Sequence, residues 1–265
     1  MKVSIVTISL NQREYLERAI QSVLRQEGVD LEYIVLDAGS TDGSRELIDA
    51  YRERFARVIF EPDRGPADGL NKAFAHATGE IVTWVNADDE LLPGAAAAAA
   101  AMFERDPALD VVYGDGYLVG TDAGSRRRFR STTSFGPRRY VYGWTVLLQQ
   151  AAFVRLEAMR QVGGFNDANR TNWDGELFLR LALDGARFRH ARQNWGCFRI
   201  HPNSITGSDR LNAEYAEQRR KLFREVVGRD PNAFDRALMV ASAPQKWIRD
   251  PVGLIQRIND EWRAR

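Results

Sequence analysis

Acidic residues gather in three groups along the first third of the chain: Asp37, then Asp63 with Asp68, then the adjacent Asp88 and Asp89. Each has an ordinary local use, since Asp before Gly or Ser is turn chemistry and an Asp ahead of a helix caps it. Brought to one place, carboxylates repel, and a bound cation or hydrogen bonds to a ligand relieve that repulsion. Hard cations such as Mg²⁺ or Mn²⁺ take oxygen ligands and bridge to phosphate, so paired acids point to a phosphate-bearing ligand, of which a nucleotide is the obvious kind. The chain has neither the GxxxxGK[ST] loop of a P-loop ATPase nor a GxGxxG after its first apolar run. A nucleotide held by a metal and side chains is what remains. His201, one of three histidines, can ligate a metal as the neutral imidazole or pair with phosphate when charged, though a His before Pro is also an ordinary loop residue. Cys197 is the only cysteine, which excludes an internal disulfide and a CxxC metal site, and before an aromatic it reads as strand filler.

The acids lie at the ends of apolar runs. Val3 to Leu10, Leu31 to Leu36, Val58 to Phe60, Ile81 to Val85 and Asp110 to Tyr113 read as strands. Between them Tyr15, Leu16, Ala19, Ile20, Val23 and Leu24 recur at helical spacing, and further helices are predicted over residues 44 to 55, 66 to 78 and 93 to 103. This strand–helix alternation predicts an α/β fold with a mostly parallel sheet covered by helices on both faces, and in such sheets ligands bind at the carboxyl ends of the strands. Beyond about residue 115 the alternation fades into Gly-rich turns and a basic stretch of Arg126, Arg127, Arg128, Arg130, Arg138 and Arg139. Helices are expected over residues 175 to 183 and through the tail from 208 to 265, with breaks near Pro231, Pro244 and Pro251. Hydrophobic residues at 44 % and charged residues at 28 % exclude a disordered chain, a collagen or a disulfide scaffold. Lys plus Arg number 37 against 36 for Asp plus Glu, a net charge of +1 that gives no case for nucleic-acid binding. No apolar run approaches the roughly 20 residues of a membrane span, and the start lacks a cleavage-site pattern. The expected location is cytoplasmic, with a peripheral place at the inner membrane face left open.

Five blocks in order resemble the family 2 glycosyltransferases with the GT-A fold, over roughly residues 2 to 205. They are Val3-Ser4-Ile5-Val6-Thr7 with Asn11; Ile34-Val35-Leu36-Asp37-Ala38-Gly39-Ser40-Thr41-Asp42-Gly43-Ser44; Glu61-Pro62-Asp63-Arg64-Gly65 with Asp68-Gly69-Leu70-Asn71-Lys72-Ala73; Ala77-Thr78-Gly79-Glu80 leading to Asn86-Ala87-Asp88-Asp89 at the DxD position; and Gly163-Gly164-Phe165 with the ED-type segment Asp174 to Leu181, closed by Phe198-Arg199-Ile200-His201-Pro202. Two positions depart from the family pattern: Ala38 stands where a second acid is common, and Asn86 opens the DxD motif without a charge.

The resemblance implies a mixed, mostly parallel GT-A sheet over residues 1–207, with a nucleotide-binding half to about 115, an acceptor half from 116, and a helical extension over 208–265. It implies metal-dependent, inverting transfer of a sugar from a UDP, dTDP or GDP donor to a hydroxyl of a saccharide, glycolipid or lipid-linked acceptor, in surface-glycan synthesis. A direct displacement needs one positioned base, and stabilisation of charge on the leaving diphosphate. On the resemblance Asp174 is that base, with Glu176 the runner-up and a helix cap as the plainer use of Asp174. Thr7, Asn11, Asp37, Asp63, Arg64, Asp68, Asn86 and Asp88 are expected to contact the donor. Asp88, Asp89 and His201 are expected to hold Mn²⁺ or Mg²⁺. Trp144, Gln150 and Trp173 are expected near the acceptor, with core packing the alternative for the two tryptophans. The arginines of residues 126 to 139 read as a flap over an anion or as a solvated loop. In the tail, Trp247, Ile248, Val252, Leu254, Ile255, Ile258 and Trp262 among basic residues suit packing onto the catalytic part, a membrane surface or a second subunit. Rival readings are a sugar nucleotidyltransferase, which would carry a basic Gly-rich loop where Ser9 to Arg13 stand, and an inactive nucleotide- or carbohydrate-binding module of the same fold.

Overall fold

In a computed structural model, residues 1–120, 126–208 and 211–248 are described, with side chains to residue 240. The first half alternates as the sequence predicts: β1 (Lys2–Ser9), α1 (Arg13–Leu24), β2 (Asp30–Asp37), α2 (Ser44–Ala50), β3 (Arg57–Phe60), α3 (Pro66–Phe74), β4 (Ile81–Trp84), β5 (Glu90–Leu91) and α4 (Ala95–Arg105). The second half adds β6 (Val111–Val119), β7 (Arg126–Phe129), α5 (Pro137–Val141), β8 (Ala152–Arg155), α6 (Leu156–Gln161), α7 (Trp173–Leu183), β9 (Phe188–Arg199), α8 (Asn212–Val227) and α9 (Ala233–Ile248). The strands form one sheet in the order β3-β2-β1-β4-β8-β6-β9-β5, with β7 paired to β6. β1, β2, β3 and β4 are mutually parallel, whereas β8 joins β4 and β6 antiparallel.

Period-two alternation splits the inner strands between two cores. Val3, Ile5, Tyr33 and Val35 pack with α1, α2 and the alanine helix α4, while Val6, Ile8, Ile34, Leu36 and Trp84 pack with α3 and α7. A third, small cluster of Val141, Leu179, Leu222 and Phe223 holds α5, α7 and α8 together, so the first helix of the tail packs onto α5 and α7. Cys197 is buried in β9, and burial pushes its thiol up to about 11, in keeping with a packing role.

The differences from expectation are local. β6 runs to Val119 instead of stopping at Tyr113, straight through Gly114-Asp115-Gly116. That trio looks like a turn, but a Cβ at Gly116 would lie 2.1 Å from the carbonyl oxygen of Gly196; the glycine lets β9 approach. Arg126, Arg127 and Arg128 belong to β7 and Arg138 and Arg139 to α5, so much of the basic stretch is built into regular elements rather than a loop. α9 continues through Pro244, where a break was expected. Pro251 and the tail from residue 249 lie outside the described residues, as do the side chains of Trp247 and Ile248. Among the described residues, no helix is long and apolar enough to cross a membrane.

Candidate functional site

The carboxyl edge of β1, β2 and β4 carries two groups of acids. In the first, Asp37 closes β2 and is fully buried. It accepts hydrogen bonds from the Gly39 and Ser40 amides (3.0 and 2.8 Å), the Ser40 hydroxyl (2.5 Å) and Arg45 Nε (2.9 Å). Burial works to raise its carboxyl, and these donors together outweigh burial and hold it below the usual range. Asp37 therefore shapes the 39–41 loop instead of facing outward as a bare acceptor. Asn11, in the left-handed region at φ 52°, ties that loop to β1: its Oδ1 accepts from the Thr41 amide at 2.8 Å, and its own amide donates to Ser40 Oγ at 2.7 Å. Arg64 donates to Asp68 Oδ1 at 3.0 Å and also to Asp167. Its hydrogen bonds hold the Asp68 carboxyl at about 2 against partial burial. Asp63 differs from both. It accepts from the Gly65 amide at 2.9 Å, and burial, with the nearby charges of Asp68 and Asp37, raises it above the usual range. It is the acid of this group least satisfied by protein donors, and so the best placed to accept from a ligand.

The second group follows β4. Asp88 Oδ2 lies 3.1 Å from His201 Nε2, and the imidazole is buried and packed on the Tyr15 ring with centroids 4.8 Å apart. Arg199 fixes the backbone between them: its side chain donates to the carbonyl oxygen of Asp88 at 3.1 Å, to that of Gly120 at 3.0 Å and to Glu90 at 2.8 Å, and it lies 5.4 Å from the Tyr15 ring centre. Asp89, expected as a metal ligand, turns the other way. It is 1 % exposed, and its two oxygens accept from the Arg199 amide (3.0 Å), Gln150 Nε2 (2.8 Å) and Asn86 Nδ2 (3.0 Å). Burial and the adjacent Asp88 charge raise its carboxyl well above the usual range. Asp89 thus acts as an internal clamp joining β4, β9 and the segment before β8, and Gln150, expected near the acceptor, is one jaw of it. Among the described residues, no group of three or more His, Cys, Asp or Glu forms a ready cation cage. Asp88 and His201 are a carboxylate oxygen and an imidazole nitrogen in contact, a donor pair that fits a cation sharing its remaining positions with phosphate oxygens.

Thr7, a predicted donor contact, is fully buried, and its hydroxyl pairs with Tyr33 Oη at 2.9 Å. As an odd-numbered residue of β1 it points into the helix-covered core. Trp173 is likewise core, 7 % exposed and packed on Trp84 and Phe165. Trp144 stacks on Tyr142 and its indole N–H reaches the Leu238 carbonyl at 3.4 Å, so it holds α9 rather than offering a sugar platform.

Asp174 lies in the first turn of α7, which starts at Trp173, two residues earlier than expected. Its Oδ1 accepts from the Gly175 amide at 2.8 Å, and burial raises the carboxyl above the usual range. It lines a cavity of about 230 Å³ whose other walls include Phe129, Phe135, Tyr140, Tyr215 and Arg219. The Tyr140 hydroxyl and Asn172 Oδ1 hydrogen-bond at 3.1 Å beside the acid. A Cβ at Gly175 would lie 2.0 Å from the Tyr140 oxygen and 2.5 Å from Asn172 Oδ1, so this pair exists only because residue 175 is glycine. Tyr140, Asn172, Tyr215 and Arg219 were missed from the sequence. They come from α5, the start of α7 and the tail helix α8, and nothing in their spacing links them to Asp174.

A curled mixed sheet flanked by helices, with acids and a histidine at its carboxyl edge, is the α/β architecture of the GT-A fold. The family model for glycosyl transferase family 2 matches residues 4–163, and the chain belongs to that family. It is 34 % identical over 215 residues to an uncharacterized glycosyltransferase of Nostoc, covering 76 % of this chain and 65 % of that one; it thus spans slightly less than two thirds of that relative. In fold it is similar to S. aureus TarS 1–349 in complex with UDP-GlcNAc, with a TM-score of 0.71, 18 % identity, and coverage of 93 % and 73 % of the two chains. It is similar also to a mannosyltransferase from Pyrobaculum calidifontis in complex with GDP-Man and Mn²⁺, with a TM-score of 0.62, 18 % identity, and coverage of 99 % and 80 %.

Proposed function

We propose that this protein transfers a sugar from a nucleoside-diphosphate sugar to an acceptor hydroxyl, with inversion, in the building of a polysaccharide or glycolipid. The observation that carries the reading is Asp174: an acid in a cavity of about 230 Å³, raised by burial, with a backbone amide as its hydrogen-bond donor. A carboxylate whose affinity for a proton is increased in this way is a better general base. In the proposed reaction Asp174 accepts the acceptor hydroxyl's proton as that oxygen attacks the anomeric carbon from the face opposite the leaving diphosphate. Asp63 and the Asn11-braced 39–41 loop, at the ends of β1, β2 and β3, receive the nucleoside. Asp88 and His201 hold the divalent cation; with one nitrogen and one oxygen donor they favour Mn²⁺ over Mg²⁺, which prefers oxygen alone. When bound, the cation offsets negative charge on the departing diphosphate. Two proteins of this fold hold a nucleotide sugar, one of them with Mn²⁺, in line with this assignment.

The experiment is calorimetric titration with UDP, dTDP, GDP and CDP, each with Mn²⁺ and with chelator, followed by turnover of the sugar nucleotides of whichever base binds. Metal-dependent binding of one nucleotide, with transfer lost in Asp174→Asn, is the expected result. Absence of binding by all four would overturn the donor assignment and favour a binding module. The Asn86 departure does not favour that rival, because Asn86 supplies a hydrogen bond that the buried Asp89 uses.

A further inference from the structure

A second and larger cavity, of about 590 Å³, lies between the end of α5 and the tail helices α8 and α9. Its lining is apolar at Val141, Phe223 and Met239 and basic at Arg219, Arg220 and Arg236. The acid in the same lining, Asp230, accepts from Arg224 Nε at 3.1 Å, so its charge is already partnered. Arg220 has a loose ion pair with Glu217 at 3.5 Å, and both side chains are exposed. Arg236 is tied by a 3.3 Å hydrogen bond to the Pro231 carbonyl. Guanidinium groups carry five donors each and suit the oxygens of phosphate.

Arg219 stands between this cavity and the one holding Asp174, because it lines both. Its Nη2 donates to the carbonyl oxygens of Tyr140 and Val141 at 3.2 and 3.1 Å, and its guanidinium lies 5.0 Å over the Tyr140 ring. These contacts fix the group at the boundary and leave it further donors. A ligand that occupied both cavities, with a hydroxyl at Asp174, would meet Arg219 between them and Arg220, Arg236 and an apolar lining in the second.

We infer that the cavity between α5, α8 and α9 binds the phosphate group of the acceptor, with Arg219, Arg220 and Arg236 as its donors and the acceptor hydroxyl lying toward Asp174. The inference rests on the reading of Asp174 as the base. The tail helices then form half of the acceptor site and set its specificity for an anionic acceptor. The same chemistry arises from a phosphorylated sugar or from the phosphate of a lipid carrier.

The test uses the full chain and calorimetric titration with hexyl phosphate, glucose 1-phosphate and neutral methyl glucoside. Each titration is repeated with the donor site saturated by the nucleoside diphosphate that binds, with Mn²⁺. Arg220→Gln/Arg236→Gln is the main variant, since both side chains are exposed and their loss leaves the packing in place; a thermal melt checks that it folds. The expected result is that the phosphate probes bind the wild type with the donor site filled, methyl glucoside binds at least tenfold more weakly, and the variant loses at least tenfold in phosphate affinity with nucleotide affinity unchanged. Tighter binding of hexyl phosphate identifies a lipid-type source, and tighter binding of glucose 1-phosphate a sugar phosphate. Phosphate affinity equal in variant and wild type, or no phosphate binding once the donor site is filled, overturns the inference. Failure of every nucleotide to bind is a separate outcome, and it overturns the functional reading on which the inference rests.

Discussion

Gly175→Ala should destabilise the protein even though it places a better helix former inside α7. On propensity alone the change is worth up to about 1 kcal/mol in favour of Ala in a helix interior, and less in the first turn where residue 175 lies. Against this, the new Cβ would meet the Tyr140 hydroxyl at 2.0 Å and Asn172 Oδ1 at 2.5 Å, contacts that cannot survive. Tyr140 is held on its other side, its backbone carbonyl by Arg219 and its ring under the same guanidinium, so the phenol must give up its bond to Asn172. Losing this part-buried hydrogen bond costs about 1 kcal/mol, and overpacking adds to that. The net expectation is a loss of about 1–2 kcal/mol, or a Tm lower by about 3–6 °C for a chain of this size. The assay is thermal and urea unfolding of the variant in two backgrounds. In Tyr140→Phe the 2.0 Å oxygen is gone and Asn172, without its partner, can turn away, so Gly175→Ala should cost at least about 1 kcal/mol less there. A variant as stable as wild type, or one whose cost is the same in both backgrounds, would refute the reasoning that residue 175 is glycine for the sake of the Tyr140–Asn172 pair.

Four further outcomes are expected. Asp174→Asn should lower the transfer rate about 10²–10⁴-fold while nucleotide affinity stays unchanged in titration, and the acid limb of the wild-type rate profile should lie above the ordinary Asp range because burial raises this carboxyl. His201→Ala and Asp88→Asn should each weaken nucleotide binding about tenfold or more in Mn²⁺ and change it little in chelator; equal losses in both conditions would argue against a cation at that pair. Glu32 is held at about 2 because hydrogen bonds from Lys2, Ser4 and Thr78 outweigh the effect of its burial, so its stabilisation is full above its unfolded value near 4.5 and is lost as pH falls toward 2. Glu32→Gln should accordingly cost about 2–3 kcal/mol at pH 7 and progressively less on acidification, as read by urea unfolding across pH. Asn86→Asp removes a donor to Asp89 and adds a third carboxylate to one whose protonation burial and Asp88 already favour, so the variant should lose about 1–3 kcal/mol at pH 7 and recover stability as pH falls.

The strands that carry the proposed donor side were legible because each is a short buried run closed by a turn-forming acid, and a parallel sheet places all such ends on one edge. What a linear pattern cannot convey is which way a side chain at that edge turns. Asp88 and Asp89 are neighbours of the same type, yet one meets His201 and the other is sealed inside by Arg199, Gln150 and Asn86. The distinction comes from β9, 110 residues further along the chain, whose backbone amide claims the second acid. Thr7 and Trp173 are buried for a related reason. Thr7 sits in the right strand but on its inner face, and Trp173 opens the right helix but points at Trp84.

The cavity around Asp174, the proposed acceptor side, was less legible because its walls come from separate elements. Tyr140 is in a five-residue helix, Asn172 precedes α7, and Tyr215 and Arg219 belong to a tail helix whose sequence reads as a solvated, charge-rich amphipathic segment. Three contacts over long separations bring them together: the cluster of Val141, Leu179, Leu222 and Phe223, the Arg219 bonds to the α5 carbonyls, and the Tyr140–Asn172 pair. Only Gly175 carries a trace of this in the sequence, as a glycine in the first turn of a helix where almost any other residue would form the helix better. Such a residue signals close approach by another part of the chain, here the phenol of Tyr140. The conformation around Asp174 is therefore set partly by the tail, and a change in α8 that moves Arg219 should alter acceptor affinity without touching the nucleotide side of the sheet.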